Sequence, residues 1–243
     1  MYETCIFDLY GTLVDIRTDE EKSGLWEKLA LFYAYYGAQY TPDELRNSYR
    51  RLTGEMTAGQ EALRRDTHEA FPEIRIEEVF QAMFRGKGIS ADEALVRHAG
   101  QFFRILSTDF VRLYDGTKEM LSAVKKSGRK IYLLSNAQRI FTEYEMRALG
   151  ITEYFDGIFI SSDEGCKKPD LTFFKRLIDT CGIDPAKAVM VGNDGICDIE
   201  GAKNAGLSTL YVHSDISSAE DKPDADHILD HMDMERITEI LLS

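Results

Sequence analysis

Apolar residues in this chain follow two rhythms, and the switch between them divides it. Thr4 to Phe7 is a short β-branched and aromatic run that ends at Asp8 and a Gly11-Thr12 turn, the signature of a buried strand. After Val14 the strand rhythm is expected to stop, and about a hundred residues follow with apolar positions at helical spacing. Leu25, Leu29, Phe32, Tyr33 and Tyr36 mark one helix face, widened by Trp26 and Ala30. Thr41-Pro42-Asp43-Glu44 has a capping Thr, Pro at the first helical position and Glu three residues after the cap. Ser90-Ala91-Asp92-Glu93 repeats that logic ahead of an inner face at Leu95, Val96, Ala99, Phe102, Phe103 and Leu106. The aromatic stripe from Phe32 to Tyr36 reads as packing rather than a cofactor box.

From about Tyr114 onward strands and helices alternate. The expected strands are Lys130–Leu134, Gly157–Ile160, Ala188–Val191, Ser208–Val212 and a weaker His227–Leu229. Helices are expected between them, one opened by Asp184-Pro185 and one running from Asp198 to Ala205. Such alternation builds βαβ units, hence an α/β fold with a Rossmann-like, mainly parallel sheet and helices on both faces. The first strand must join that sheet, because a lone strand cannot persist. Residues 1–15 and 110–243 therefore form the expected core, and 16–109 an all-helical cap inserted after strand one. No solenoid-period repeat is present.

Composition narrows the partners. With 44% apolar and 29% charged residues the chain is of ordinary globular type. A net charge of −13 argues against nucleic acid and anionic membrane surfaces. No apolar run approaches the roughly 20 residues of a membrane span, and no targeting signal precedes the first strand. Cys5, Cys166, Cys181 and Cys197 form no CxxC pair, which favours reduced thiols and a cytoplasmic location. His68 and His98 stand without partners at metal-ligand spacing. Oligomeric state and the cap residues that set specificity are not legible, although Arg17, Arg64 and Arg65 offer cations.

Four short segments follow strands and so land at the carboxyl edge of the sheet. They are Asp8 with its turn; Ser135-Asn136; Lys167-Lys168-Pro169-Asp170; and Asn193-Asp194 with Asp198 four residues on. Two acids, a hydroxyl and a lysine around a third acid suit a phosphoryl group and a hard cation.

In this order the segments resemble the four motifs of the haloacid dehalogenase (HAD) superfamily. Cys5 to Asp15 is similar to motif I, and Ile199 to Gly206 looks like the helix of motif IV. The helical stretch after the first strand resembles a C1-type cap of subfamily I. The resemblance implies a hydrolase, most simply a Mg²⁺-dependent phosphatase acting on a small phosphorylated metabolite. Asp8 would be the nucleophile that forms an aspartyl-phosphate. Asp8, the Tyr10 carbonyl and Asp194 would bind Mg²⁺, with Asp198 and Asn193 behind them. Ser135, Asn136 and Lys168, with the chain at Leu9 and Tyr10, would contact the substrate.

Tyr10 is the departure, since the family's phosphatases carry an acid/base Asp there. A phenol with an ordinary pKa near 10 is a poor base at neutrality. Asp-x-Tyr-Gly-Thr-Leu also resembles the family's metal-free 2-haloacid dehalogenases, which lack the acidic pair at Asp194 and Asp198. A dehalogenase-like hydrolase and a weakly catalytic phosphate-binding relative are thus the alternative expectations.

Overall fold

The computed structural model describes residues 1–63, 71, 73–218, 221 and 223–243. Arg64, Arg65 and His68 lie outside them. In chain order the elements are β1 (Thr4–Phe7), β2 (Val14–Thr18), α1 (Leu25–Tyr35), α2 (Pro42–Leu63), α3 (Ile76–Gly86), α4 (Glu93–Ser107) and β3 (Thr108–Leu113). Then follow α5 (Thr117–Lys126), β4 (Lys130–Ser135), α6 (Arg139–Leu149), β5 (Gly157–Ile160), α7 (Ser161–Glu164) and α8 (Leu171–Cys181). The chain closes with β6 (Ala188–Gly192), α9 (Gly201–Asn204), β7 (Ser208–Val212), β8 (His227–Leu229) and α10 (Met234–Leu242).

Six strands make one parallel, Rossmann-like sheet in the order β5-β4-β1-β6-β7-β8. Side chains alternate across it with period two. Cys5, Phe7, Ile131, Leu133, Val189 and Val191 pack on one face with Leu121 and Val124 of α5 and Ile237 and Leu241 of α10. Ile6, Tyr132, Leu134 and Met190 pack on the other with Phe173, Phe174 and Leu177 of α8. Burial on both faces explains why these strands read as nearly continuous apolar runs. β1 lies at the centre, paired with β4 on one side and β6 on the other. Strand order reverses there, and the carboxyl ends of β1, β4 and β6 open a ligand crevice.

α1 to α4 form a separate apolar cluster. Tyr33 stacks on Phe84 with ring centroids 4.2 Å apart, and Trp26 and Tyr49 pack on Phe103. Phe32 stacks on Phe102 at 5.4 Å, so this stripe is packing, whereas Tyr35 points to solvent. Among the described histidines, His98 is exposed. The capping box forms as expected: the Glu44 N–H donates to Thr41 Oγ1 and the Thr41 N–H to Glu44 Oε2.

Four expectations need correction. The strand rhythm does not stop at Val14, because β2 and β3 form an antiparallel ribbon at the root of the helical insert. Only Val14 and Asp15 of its residues are buried, and its partners lie nearly a hundred positions apart, so local pattern carries little of it. α4 starts later than Ser90; Asp92 is its cap and accepts from the Leu95 N–H at 2.8 Å. Asp184-Pro185 opens only a single 3₁₀ turn, Pro185–Lys187, since β6 begins at the next residue. The helix expected from Asp198 begins earlier, as a π turn over Gly195–Glu200 that α9 continues. Asp194 starts it by accepting from the N–H groups of Ile196 and Cys197.

Candidate active site

Asp8 is the first residue beyond β1, and its N–H still bonds to the Val191 carbonyl at 3.0 Å. The ladder thereby fixes where its carboxylate emerges between β4 and β6. Ser135, the last residue of β4, donates to Asp8 Oδ1 at 3.0 Å. Lys168 Nζ donates to the same oxygen at 2.7 Å and to Asp198 Oδ1 at 2.6 Å. All four side chains are buried, and Lys168 is 2% exposed. Burial alone would lower the Lys168 pKa; the carboxylates of Asp198 and Asp8 outweigh it and raise the value. Burial pushes the Asp198 carboxyl up, against the opposing charge of Lys168. The ammonium is thus a fixed cation beside Asp8.

Asp198 also shapes the turn after β6, its Oδ2 accepting from the N–H groups of Asn193 and Asp194. This needs Gly192. A Cβ there would sit 2.3 Å from the Asp198 carboxyl carbon. Asn136 turns its amide onto the Lys168 main chain, accepting from the N–H at 2.8 Å and donating to the carbonyl at 2.9 Å. It thereby holds the lysine loop. Asn193 is buried, accepts from Thr12 Oγ1 and donates to Ser217, tying the loop after Asp8 to the segment after β7. Leu9 places its side chain in the core, and its carbonyl closes the loop by accepting from the N–H groups of Thr12, Leu13 and Val14.

Ser135 and Lys168 bond Asp8 at Oδ1, and the N–H groups of Ile196 and Cys197 bond Asp194 at Oδ1, which leaves Asp8 Oδ2, Asp194 Oδ2 and the Tyr10 carbonyl as candidate ligands. Two carboxylates and a carbonyl are hard donors of the kind that hold Mg²⁺, which keeps several waters besides. No group of three or more acid, His or Cys side chains with metal-binding geometry occurs among the described residues. The donor chemistry fits Mg²⁺ through two carboxylates and main chain. Asp198 is committed to Lys168 and the two amides.

The contacts of Tyr10 escaped sequence reasoning. Its hydroxyl donates to Glu145 Oε2 at 2.5 Å and lies 3.1 Å from Thr142 Oγ1, both on α6. Arg104 of α4 grips the same carboxylate at two points, Nε to Oε1 at 2.7 Å and a terminal nitrogen to Oε2 at 3.2 Å. Burial first, then the neighbouring Glu145 charge, pushes the Tyr10 phenol well above its ordinary value. Its proton therefore stays on, directed at Glu145. Nothing in local spacing pairs residues 135 positions apart. Asp15, the nearest other acid in sequence, is paired with Arg112 at 2.8 Å. Arg17 is an exposed partner of Asp109. The four cysteines form no disulfide with one another. Burial and the flanking acids push the Cys197 thiol up to about 12, which keeps it in its unreactive protonated form.

Among the described residues, no helix is long and apolar enough to cross a membrane. The model of the haloacid dehalogenase-like hydrolases matches residues 2–206. The chain is 34% identical over 110 residues to a glyceraldehyde 3-phosphate phosphatase of Methanothermobacter thermautotrophicus, covering 45% of this chain and 49% of that protein. It thus spans about half the length of that relative. It is 26% identical over 209 residues to the N-acylneuraminate-9-phosphatase of Mus musculus, covering 85% and 81%. In fold it resembles a 2-haloacid dehalogenase of Pseudomonas syringae pv. Tomato DC3000, with a TM-score of 0.67, 21% identity and coverage of 99% and 98%. The match to the family model, over a sheet whose central strand delivers Asp8 to the crevice, places this chain among the haloacid dehalogenase-like hydrolases.

Proposed function

We propose that the protein is a Mg²⁺-dependent phosphatase of small phosphorylated metabolites that works through Asp8. The observation that carries this reading is the buried ammonium of Lys168, held between Asp8 and Asp198 with the Ser135 hydroxyl on the same carboxylate oxygen. Charge develops on phosphoryl oxygens during transfer, and a fixed cation with an adjacent hydroxyl donor stabilises it without reorganisation. Asp8 attacks phosphorus, the P–O bond to the leaving group breaks, and water then hydrolyses the aspartyl-phosphate. Bound at Asp8, Asp194 and the Tyr10 carbonyl, Mg²⁺ would supply further neutralisation of phosphoryl charge. The helical insert acts as the cap that excludes water, and the phosphatase relatives support the substrate class.

Asp194→Asn is expected to raise the Mg²⁺ concentration needed for half-maximal activity by about 10–100-fold. Titration of activity and of metal binding by calorimetry checks it; an unchanged Mg²⁺ requirement would remove Asp194 from the metal site.

The Tyr10 phenol is committed to Glu145, so no acid at this position protonates the leaving oxygen. Aryl and acyl phosphates should therefore outpace alkyl phosphates, by up to the ~10²–10⁴ that a positioned acid/base supplies. Rates over esters of graded leaving-group pKa, with and without Mg²⁺, test the reading. Tyr10→Asp should flatten the dependence and raise alkyl-ester turnover about tenfold or more. Halide release from 2-haloacids in the same screen, with no ester hydrolysis, would reverse the assignment towards the dehalogenase-like reading that Tyr10 suggests in sequence.

A further inference from the structure

Arg104 sits in the last turn of α4, four residues before the insert passes into β3. Its backbone carbonyl accepts from the hydroxyls of Ser107 and Thr108, which fixes this exit from the helix. Its side chain leaves the insert and reaches Glu145 in the middle of α6. The two-point fork there is the geometry that guanidinium and carboxylate share, and it fixes direction as well as distance. The Glu145 side chain is 7% exposed, so its oxygens are met by these partners rather than by water. The guanidinium also lies over two rings, 5.1 Å from the centroid of Phe141 and 5.6 Å from that of Tyr10. One turn earlier in α4, Gly100 lets the helices close. A Cβ there would meet Ile140 Cδ1 at 2.5 Å.

Proton counting sets the direction of the chain. Thr142 Oγ1 donates its one proton to the Gln138 carbonyl at 3.0 Å. The single phenolic proton of Tyr10 is then the one that satisfies Glu145. Tyr10 belongs to the loop between Asp8 and Val14, which the Leu9 carbonyl and the Gly11 N–H close on itself, and which Thr12 ties to Asn193 and the Leu13 carbonyl to Tyr114 and Thr117. Its side chain joins that loop to α6, and through Glu145 and the guanidinium over its ring to Arg104 of the insert.

We propose that Arg104 is a positioning residue, which through Glu145 holds Tyr10 and the loop beyond Asp8 in place only while α4 lies against α6. Lifting the insert takes the guanidinium off Glu145 and leaves the phenol as the proton donor on that carboxylate, so the position of the insert is felt in the loop. The chemical importance of that loop rests on the phosphatase reading; the coupling itself does not.

The test uses the full chain without substrate. Amide hydrogen exchange is followed in residues 9–14, in β6 and in α4 for wild type, Arg104→Met, Glu145→Gln and the double variant. Exchange over 9–14 is expected to quicken about tenfold or more in each single variant, with β6 unchanged and the double variant no faster than the faster single. The double variant leaves no lone buried charge, so it decides the matter if Arg104→Met fails to fold. With an aryl phosphate, kcat is expected to fall about tenfold while KM stays within about threefold, as loss of positioning rather than of substrate contact requires. Wild-type exchange over 9–14 in the folded double variant overturns the proposal, as does a rise no larger there than in β6. A protein inactive on every phosphate ester would still give the exchange result, so failure of the coupling and failure of the phosphatase reading are told apart.

Discussion

Lys168→Met is expected to destabilise the metal-free protein by about 3–5 kcal/mol at pH 8, because it removes the one cation shared by two buried carboxylates. That is a large part of the roughly 5–15 kcal/mol that holds a domain folded. For a chain of this length the midpoint of thermal unfolding falls by about 6–20 °C. The loss depends on pH, with a definite sign. Burial already raises the folded pKa of Asp198, and Lys168 is the strongest influence opposing it. Without the ammonium, that folded pKa climbs further above the unfolded value of about 3.9. A group whose folded pKa is raised contributes stability that is present in full below its unfolded pKa and is lost as pH rises through the folded one. The gap between variant and wild type should therefore be small near pH 4 and widen towards pH 8. Adding Asp198→Asn to the variant should recover part of the loss. Thermal melts from about pH 4 to 8 read all of this. Parallel profiles for the two proteins would mean that Lys168 does not sustain the pair.

Asp8→Asn is expected to lower ester turnover by about 10⁴-fold or more, the scale on which removal of a covalent nucleophile acts. The amide keeps the shape of the carboxylate. Its oxygen can still accept from Ser135, and Lys168 keeps Asp198, so the fold should survive. Wild-type protein quenched in acid during turnover should carry a phosphoryl adduct on the peptide that contains Asp8, and the variant should carry none. An Asn variant that retains a tenth of the activity would locate the nucleophile elsewhere.

These two variants probe residues that sequence alone picked out, and the reason is physical. β1, β4, β6 and β7 are buried on both faces, so each leaves a compact apolar run, and a parallel sheet puts whatever follows each run at one edge. Asp8, Ser135, Lys168 and Asp198 lie at or beyond the carboxyl ends of β1, β4, β5 and β6, so their meeting was implied before any distance was known. The Thr41-Glu44 capping box was equally legible, because both of its bonds are local.

Pairings distant in the chain and weakly patterned were decided by tertiary structure. The β2–β3 ribbon pairs Asp15 with Arg112, and its strands, buried only at Val14 and Asp15, hold no pattern stronger than that of a loop. Asp92 displaced Ser90 as a cap because the chain turns back at Gly88, with φ +75°, and takes up helix only after residue 92, where Asp92 meets the Leu95 N–H. Asn136 reads as a substrate amide in sequence, yet folding brings the Lys168 main chain within reach of both its ends. Tyr10 is the sharpest case. Its identity announced that an acid is missing, but its use depends on Glu145 and Arg104, two helix residues with no local mark. A residue's chemistry is written in the chain; the partner that spends it is set by packing, because bringing residues 135 apart into contact draws on the whole core and leaves no local trace.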